Sequence, residues 1–112
     1  MAVVNQYKFF GVTSTAAETA TMLSPLISET IIIKSLHVTN KSASNTPTIT
    51  ITNNAFQVIN TQTLATAASV EILTNPMVVE GDTLFKYTTA GTVTDGVVIT
   101  ISYLNIKKEV TT

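Results

Sequence analysis

His37 is the only histidine of the 112-residue chain, and it sits in the alternating run Ser35-Leu36-His37-Val38-Thr39. Nucleophilic catalysis through a hydroxyl needs a base held against that hydroxyl and a third group to orient the base. No acid lies close to His37 in sequence, so the run reads as a strand with a solvated histidine on its polar face. Zinc normally takes three or four N, S or O ligands. With one histidine and no cysteine, carboxylates from distant segments would have to converge on His37. Glu80, Asp82 and Asp95 come from turns, and oxygens from loops can hold calcium, but their spacing matches no calcium loop. Gly81-Asp82 reads instead as a tight turn. Glycoside cleavage would require two of Glu18, Glu29, Glu71 and Glu80 within about 5–10 Å of each other, and no spacing brings them together. The four glycines form neither GxxxxGK nor GxGxxG, which removes phosphate-loop chemistry. The chain is therefore expected to be no enzyme, with no catalytic residue, cofactor or metal, and its function is sought in surfaces and assembly.

The elements that place these residues are those of one small β domain spanning residues 1–112. Hydrophobic residues make up 45% of the chain and charged residues 12%, about half the usual share of roughly 25%. Threonine is roughly one residue in five; it favours strands and hydrates an exposed face without adding charge. A net charge of −1 with six basic residues leaves no basic patch, so nucleic acid is not an expected partner. No apolar run approaches the ~18 residues of a membrane span, and the N-terminus lacks a basic segment followed by an apolar one. The expectation is a protein made in the cytoplasm that contacts no membrane. Low charge with a mean hydropathy of +0.35 implies that some apolar surface is covered by partner subunits.

Between Val3 and Val12, Tyr7 and Phe9 fall on one parity and Val4, Phe10 and Val12 on the other. The pattern predicts a strand buried on both faces, with a subunit contact on one of them, so residues 1–12 are read as a contact strand. Thr19–Leu23 is a short strand stopped by Pro25. Ser28–Asn40, with Ile31-Ile32-Ile33 followed by alternation, is the candidate central strand. Thr48–Thr52 alternates strictly and should turn Ile49 and Ile51 inward. The row Thr46, Thr48, Thr50, Thr52 resembles the threonine arrays of ice-binding surfaces locally, but one row makes no flat array. Asn53-Asn54 marks a turn before a strand through Phe56 and Val58. Leu64–Ala68 has room for one helical turn; Val70, Ile72 and Leu73 suggest a short strand, and Met77–Val79 another. Glu80 to Ile106 reads as a closing hairpin whose two strands are joined by a Thr/Gly connection. Lys107–Thr112, with the adjacent pair Lys107-Lys108, reads as a flexible tail. About eight strands result, which predicts an all-β, two-sheet antiparallel sandwich, jelly-roll-like.

The order Glu29-Thr30-Ile31-Ile32-Ile33-Lys34-Ser35-Leu36-His37-Val38-Thr39-Asn40, a Ser/Ala turn, Thr48-Ile49-Thr50-Ile51, then Gly81-Asp82-Thr83-Leu84 resembles a group of small tailed-bacteriophage virion proteins over about residues 15–106. The resemblance implies a jelly-roll-like sandwich acting as a capsid cement or decoration protein. Such a protein oligomerises, by analogy as a homotrimer, binds the major capsid protein or tail proteins, and resides in the virion after assembly in the host cytoplasm. Val4, Tyr7, Phe9 and Phe10 are the candidate interface residues, on their two-sided apolarity. The alternative is a tail, fibre or baseplate accessory protein contacting host glycan through Lys41–Asn45 and Thr88–Gly91.

Overall fold

Alternation of β-branched and hydroxyl residues produces strands with one apolar and one polar face, and two such sheets bury their apolar faces against each other. A computed structural model describes residues 3–73 and 75–108, and among them nine strands: β1 (Val3–Ser14), β2 (Thr19–Leu23), β3 (Glu29–Asn40), β4 (Thr48–Asn53), β5 (Phe56–Thr63), β6 (Ala68–Glu71), β7 (Met77–Val79), β8 (Phe85–Ala90) and β9 (Val97–Lys108). They form a sandwich of two antiparallel sheets. The long sheet runs β1-β9-β3-β6, with β7 also on β3; the short sheet runs β2-β8-β4-β5. The pairing is nested: β1 with β9, β2 with β8, β3 with β6 and β7, β4 with β5.

The core lies where the inner faces meet. Ile33, Leu36, Val38, Val97, Ile99 and Ile101 of the long sheet are fully buried, and so are Ile49, Ile51 and Phe85 of the short one. Each such side chain contributes about 1.5–3 kcal/mol of burial. Among the described residues, no buried side-chain nitrogen or oxygen lacks a hydrogen-bond partner. Asn40 shows how: its Nδ2 donates to the carbonyls of Asn45 at 2.9 Å and Ala65 at 3.0 Å, and its Oδ1 accepts from the Ser42 N–H at 3.1 Å.

Strands β1, β3 and β9 have 12 residues each, whereas β2, β4 and β8 have five or six. The long sheet therefore overhangs the short one at the end where Glu29 faces Lys107 and Val4 faces Lys107 from the other side. The molecule is elongated, 55 × 23 × 21 Å. Residues 24–28 and 80–84 meet at this end: the Asp82 N–H donates to the Pro25 carbonyl at 3.0 Å, and the Glu29 N–H to the Leu26 carbonyl at 2.8 Å.

Several expectations change. β8 and β9 form no hairpin; they lie in different sheets, β8 between β2 and β4, β9 between β1 and β3. Gly91 and Gly96, at φ of 89° and 103°, turn the chain out of one sheet and into the other, a separation of about 10 Å. Nine strands stand where about eight were expected, and Ile72 and Leu73, expected in a short strand with Val70, lie beyond the end of β6 as core residues. Leu64–Ala67 contains a turn and no helix. Lys107 and Lys108 belong to β9, paired with Val4 and Val3, because the long partner strand supplies a ladder to the end; residues 109–112 lie outside the described residues. β1 is an edge strand whose outward residues Asn5, Tyr7, Phe9, Gly11 and Thr13 are exposed, so this chain alone does not bury it twice.

Candidate interaction surface

Register across the overhang assembles an apolar belt on the outer face of the long sheet. Tyr7 lies opposite Leu104, Leu104 opposite Ile32, and Ile32 opposite Val78. The belt thus crosses β1, β9, β3 and β7 at right angles to the strands. Ile106 lies one residue pair beyond it, opposite Asn5 and Thr30. Tyr7 is 80% exposed and Val78 51%; Leu104, Ile32 and Ile106 are half-buried.

A bulge at Lys34 creates this arrangement. The β3–β9 register shifts between Ile33 and Ser35, so Thr30 and Ile32 face outward before the bulge and Ser35, His37 and Thr39 after it. Ile31 and Ile33 consequently face the core while Ile32 joins the belt. Lys34 is left exposed at the bulge. Between Phe9 on one side and Ser35 on the other, β9 carries the small Ser102. The result is a hollow of about 460 Å³ lined by Tyr7, Lys8, Phe9, Lys34, Ser102 and Tyr103. The Phe9 ring, 69% exposed, leans over Gly11: a Cβ there would meet the ring at 3.4 Å.

Of the expected interface residues, Tyr7 and Phe9 stand on this face. Val4 has the opposite parity and is 46% exposed at the overhang, while Phe10 turns inward and packs against the core. Sequence reasoning missed Ile32, Leu104 and Val78, whose only signal was exposed parity on strands expected to be buried.

The other chemistry-bearing residues are dispersed. His37 meets an acid after all: its Nε2 lies 2.9 Å from Glu71 Oε2 on the outer face, while Glu71 Oε1 accepts the Leu36 N–H at 3.2 Å. With the Ile72 N–H donating to the Leu36 carbonyl at 2.8 Å, the pair closes the ladder where β6 stops. Glu18 accepts the Tyr87 hydroxyl at 2.7 Å; Glu29 accepts the Leu26 N–H at 2.7 Å and Asn105 Nδ2 at 3.3 Å. Burial, reinforced by the Glu18 hydrogen bond and charge, pushes the Tyr87 phenol up to about 12. Burial and the Glu29 charge also raise Tyr103. Glu80 and Asp82 precede β8 and Asp95 follows it, so they do not converge. Among the described residues, no three His, Asp or Glu side chains group so as to hold a metal ion.

The two stretches expected to meet glycan are less open than their composition suggests. Thr88–Ala90 is part of β8, with Thr89 buried and bonded to Ser14 Oγ at 3.0 Å. In Lys41–Asn45, the Ser42 hydroxyl accepts the N–H groups of Ser44 and Asn45. A second hollow, about 360 Å³, lies between the Asn53–Asn54 turn, Phe56 and Val78–Glu80. No protein-family model matches this chain, and no curated protein matches it.

Proposed function

We infer that the protein is a non-enzymatic virion structural protein, a capsid cement or decoration protein of a tailed phage. The observation that carries the reading is the apolar belt Tyr7–Leu104–Ile32–Val78 across four strands, beside a 12-residue edge strand. Contiguous exposed apolar surface and an unpaired edge are both liabilities in a free monomer, and both are resolved by association. Sister copies, three by analogy, cover this surface, and the assembled oligomer bridges subunits of the major capsid protein, so that opening the shell must break its contacts. The nested strand pairing supports reading the sandwich as a jelly roll. A tail or baseplate position is the second reading. It is favoured by the Leu26–Ile27 turn at one end of a 55 Å body, 61% and 84% exposed, which suits end-on contact.

The test is the solution mass by light scattering, followed by cosedimentation with expanded phage heads. A stable oligomer that pellets with heads is expected. A monomer that stays in the supernatant overturns the cement reading and leaves the tail position.

A further inference from the structure

Among the described residues, every sheet edge but one is blunted. β2 has five residues and a register shift against β8, and β5 meets β4 across two shifts. The far edge of the long sheet is divided between β6 and β7, of four and three residues. Short, bulged and broken edges resist pairing with another chain. β1 has none of these devices. Its 12 residues hold one register with β9 from Val3↔Lys108 to Ser14↔Val97, without a bulge, and include no proline. Every second residue turns its N–H and C=O away from β9, so the edge is an open ladder that an extended strand can continue.

Within this chain, β1 is itself the one edge strand of that length and regularity, so a second copy supplies the matching strand. Two β1 strands paired about a two-fold axis keep both outer faces on the same side only when residues of like parity oppose each other. The axis then passes through a residue, and the middle of the strand offers Tyr7, Lys8 and Phe9. An axis at Lys8 sets the only charge of the strand against itself. An axis at Phe9 opposes apolar to polar on the inner face: Val4 to Ser14, Val12 to Gln6, Phe10 to Lys8. An axis at Tyr7 matches like with like. Val4, 46% exposed, meets the half-buried Phe10; Gln6 meets Lys8; the two Tyr7 rings, each 80% exposed, meet each other. The row Val78, Ile32, Leu104, Tyr7 then runs on into the same row of the second copy, and the pairing is centred on the overhang.

We propose that β1 pairs with β1 of a second copy, antiparallel and centred on Tyr7, so that two sandwiches share one continuous long sheet. The contact is isologous. It rests on the reading that sister copies cover this surface, and it joins them in pairs, which a three-fold arrangement of those pairs accommodates.

The chain has no cysteine, so single introduced cysteines report the position of the axis. Directly opposed residues have Cα atoms about 4.5–5.5 Å apart, within the span of a disulfide. Tyr7→Cys is therefore expected to cross-link to its own twin under mild oxidation. In the same register the twin Cα atoms are about 8 Å apart at position 8 and about 14 Å apart at position 9. Both exceed the ~7 Å limit, so Lys8→Cys and Phe9→Cys should cross-link about tenfold less or not at all. All three side chains are exposed, and the fold should tolerate each change. An equal mixture of Gln6→Cys and Lys8→Cys chains, which keeps Tyr7, should give the mixed dimer and neither homodimer. Cross-linking that is strongest at position 8 or 9, or equal at all three, overturns the proposal. So does wild type that stays monomeric in light scattering at the same concentrations. The cement reading fails separately: a protein that cross-links through Tyr7→Cys and ignores phage heads removes that reading and leaves this one. Wild type that pellets with heads as a monomer does the reverse.

Discussion

The two sheets share one strand grammar and present opposite outer surfaces. On the short sheet, Thr19 lies opposite Thr88 and Thr88 opposite Thr50, with Thr48, Thr52 and Thr21 in the flanking rows. Its hydroxyls pair with one another, Thr19 with Thr88 at 2.8 Å and Thr50 with Thr61 at 3.3 Å. On the overhang of the long sheet the same outward positions carry Tyr7, Leu104, Ile32 and Val78. A threonine face is β-forming and wet without charge, which explains how a domain with 12% charged residues keeps a water-facing side. The comparison teaches that the apolar belt is placed at one end of the long sheet; on the short sheet Phe56 of β5, 71% exposed, stands outside the threonine rows.

The contrast breaks most sharply with matched charges. Tyr7→Asp puts an unpaired carboxylate into the belt at a residue 80% exposed, so folding should be untouched while association weakens by roughly 30-fold or more, the scale of an interface anchor. Thr50→Asp on the short sheet should leave association within about twofold of wild type. Sedimentation of both variants over a concentration series checks the pair; equal losses would mean that the two faces are equivalent.

Alkaline titration separates the sandwich from the belt. An unfolded tyrosine ionises near 10, whereas Tyr87 in the folded short sheet holds its proton to about 12 because it is buried and donates to Glu18. A raised acid pKa means that the fold loses stability as pH climbs from about 10 through 12, by roughly 2–3 kcal/mol from this group, and keeps all of it below 10. Urea unfolding at pH 8 and pH 11.5 measures the loss, which Tyr87→Phe should largely remove at a cost near 1 kcal/mol at neutral pH. At the opposite end, Gly81→Ala forces a methyl group against three carbonyl oxygens and should cost about 1–3 kcal/mol. It should also loosen the Leu26–Ile27 turn, visible as faster amide exchange at Glu29 and Asp82.

Local patterns were legible and non-local ones were not. The strict alternation of Thr48–Thr52 placed Ile49 and Ile51 in the core, and Asn53-Asn54 marked a turn in which Asn54 adopts φ 58°. The triple isoleucine of β3 did belong to a strand with neighbours on both sides. The closing hairpin was misread because a Thr/Gly connection looks alike whether it joins neighbours in one sheet or crosses between sheets. Tyr7 and Phe9 stood out through their parity. Their companions Ile32, Leu104 and Val78 reach the belt through a register linking segments tens of residues apart, and through one bulge at Lys34 that reverses the parity of β3. Nothing local in Ile31-Ile32-Ile33-Lys34-Ser35 signals that reversal. The His37–Glu71 pair was invisible for the same reason.

The smallest effect sharpens the comparison most. Thr88→Val with Thr50→Val replaces two directly opposed hydroxyls on the short sheet by methyl groups of nearly the same shape, turning part of the threonine row apolar. Their former partners Thr19 and Thr61 are exposed and regain water, so no buried polar group is stranded, and stability should stay within about 0.5 kcal/mol of wild type. Association should not change either. The new stripe has Lys86 beside it, opposite Thr21 and Thr52, but neither a hollow nor an aromatic wall, whereas the belt on the long sheet has both. Chemical denaturation and light scattering on this double variant therefore distinguish two causes of assembly. An unchanged mass ties association to the shape of the surface around Tyr7 and Phe9. A higher mass would mean that any apolar stripe on this sandwich suffices, and that the threonines of the short sheet are what keep its copies apart on that side.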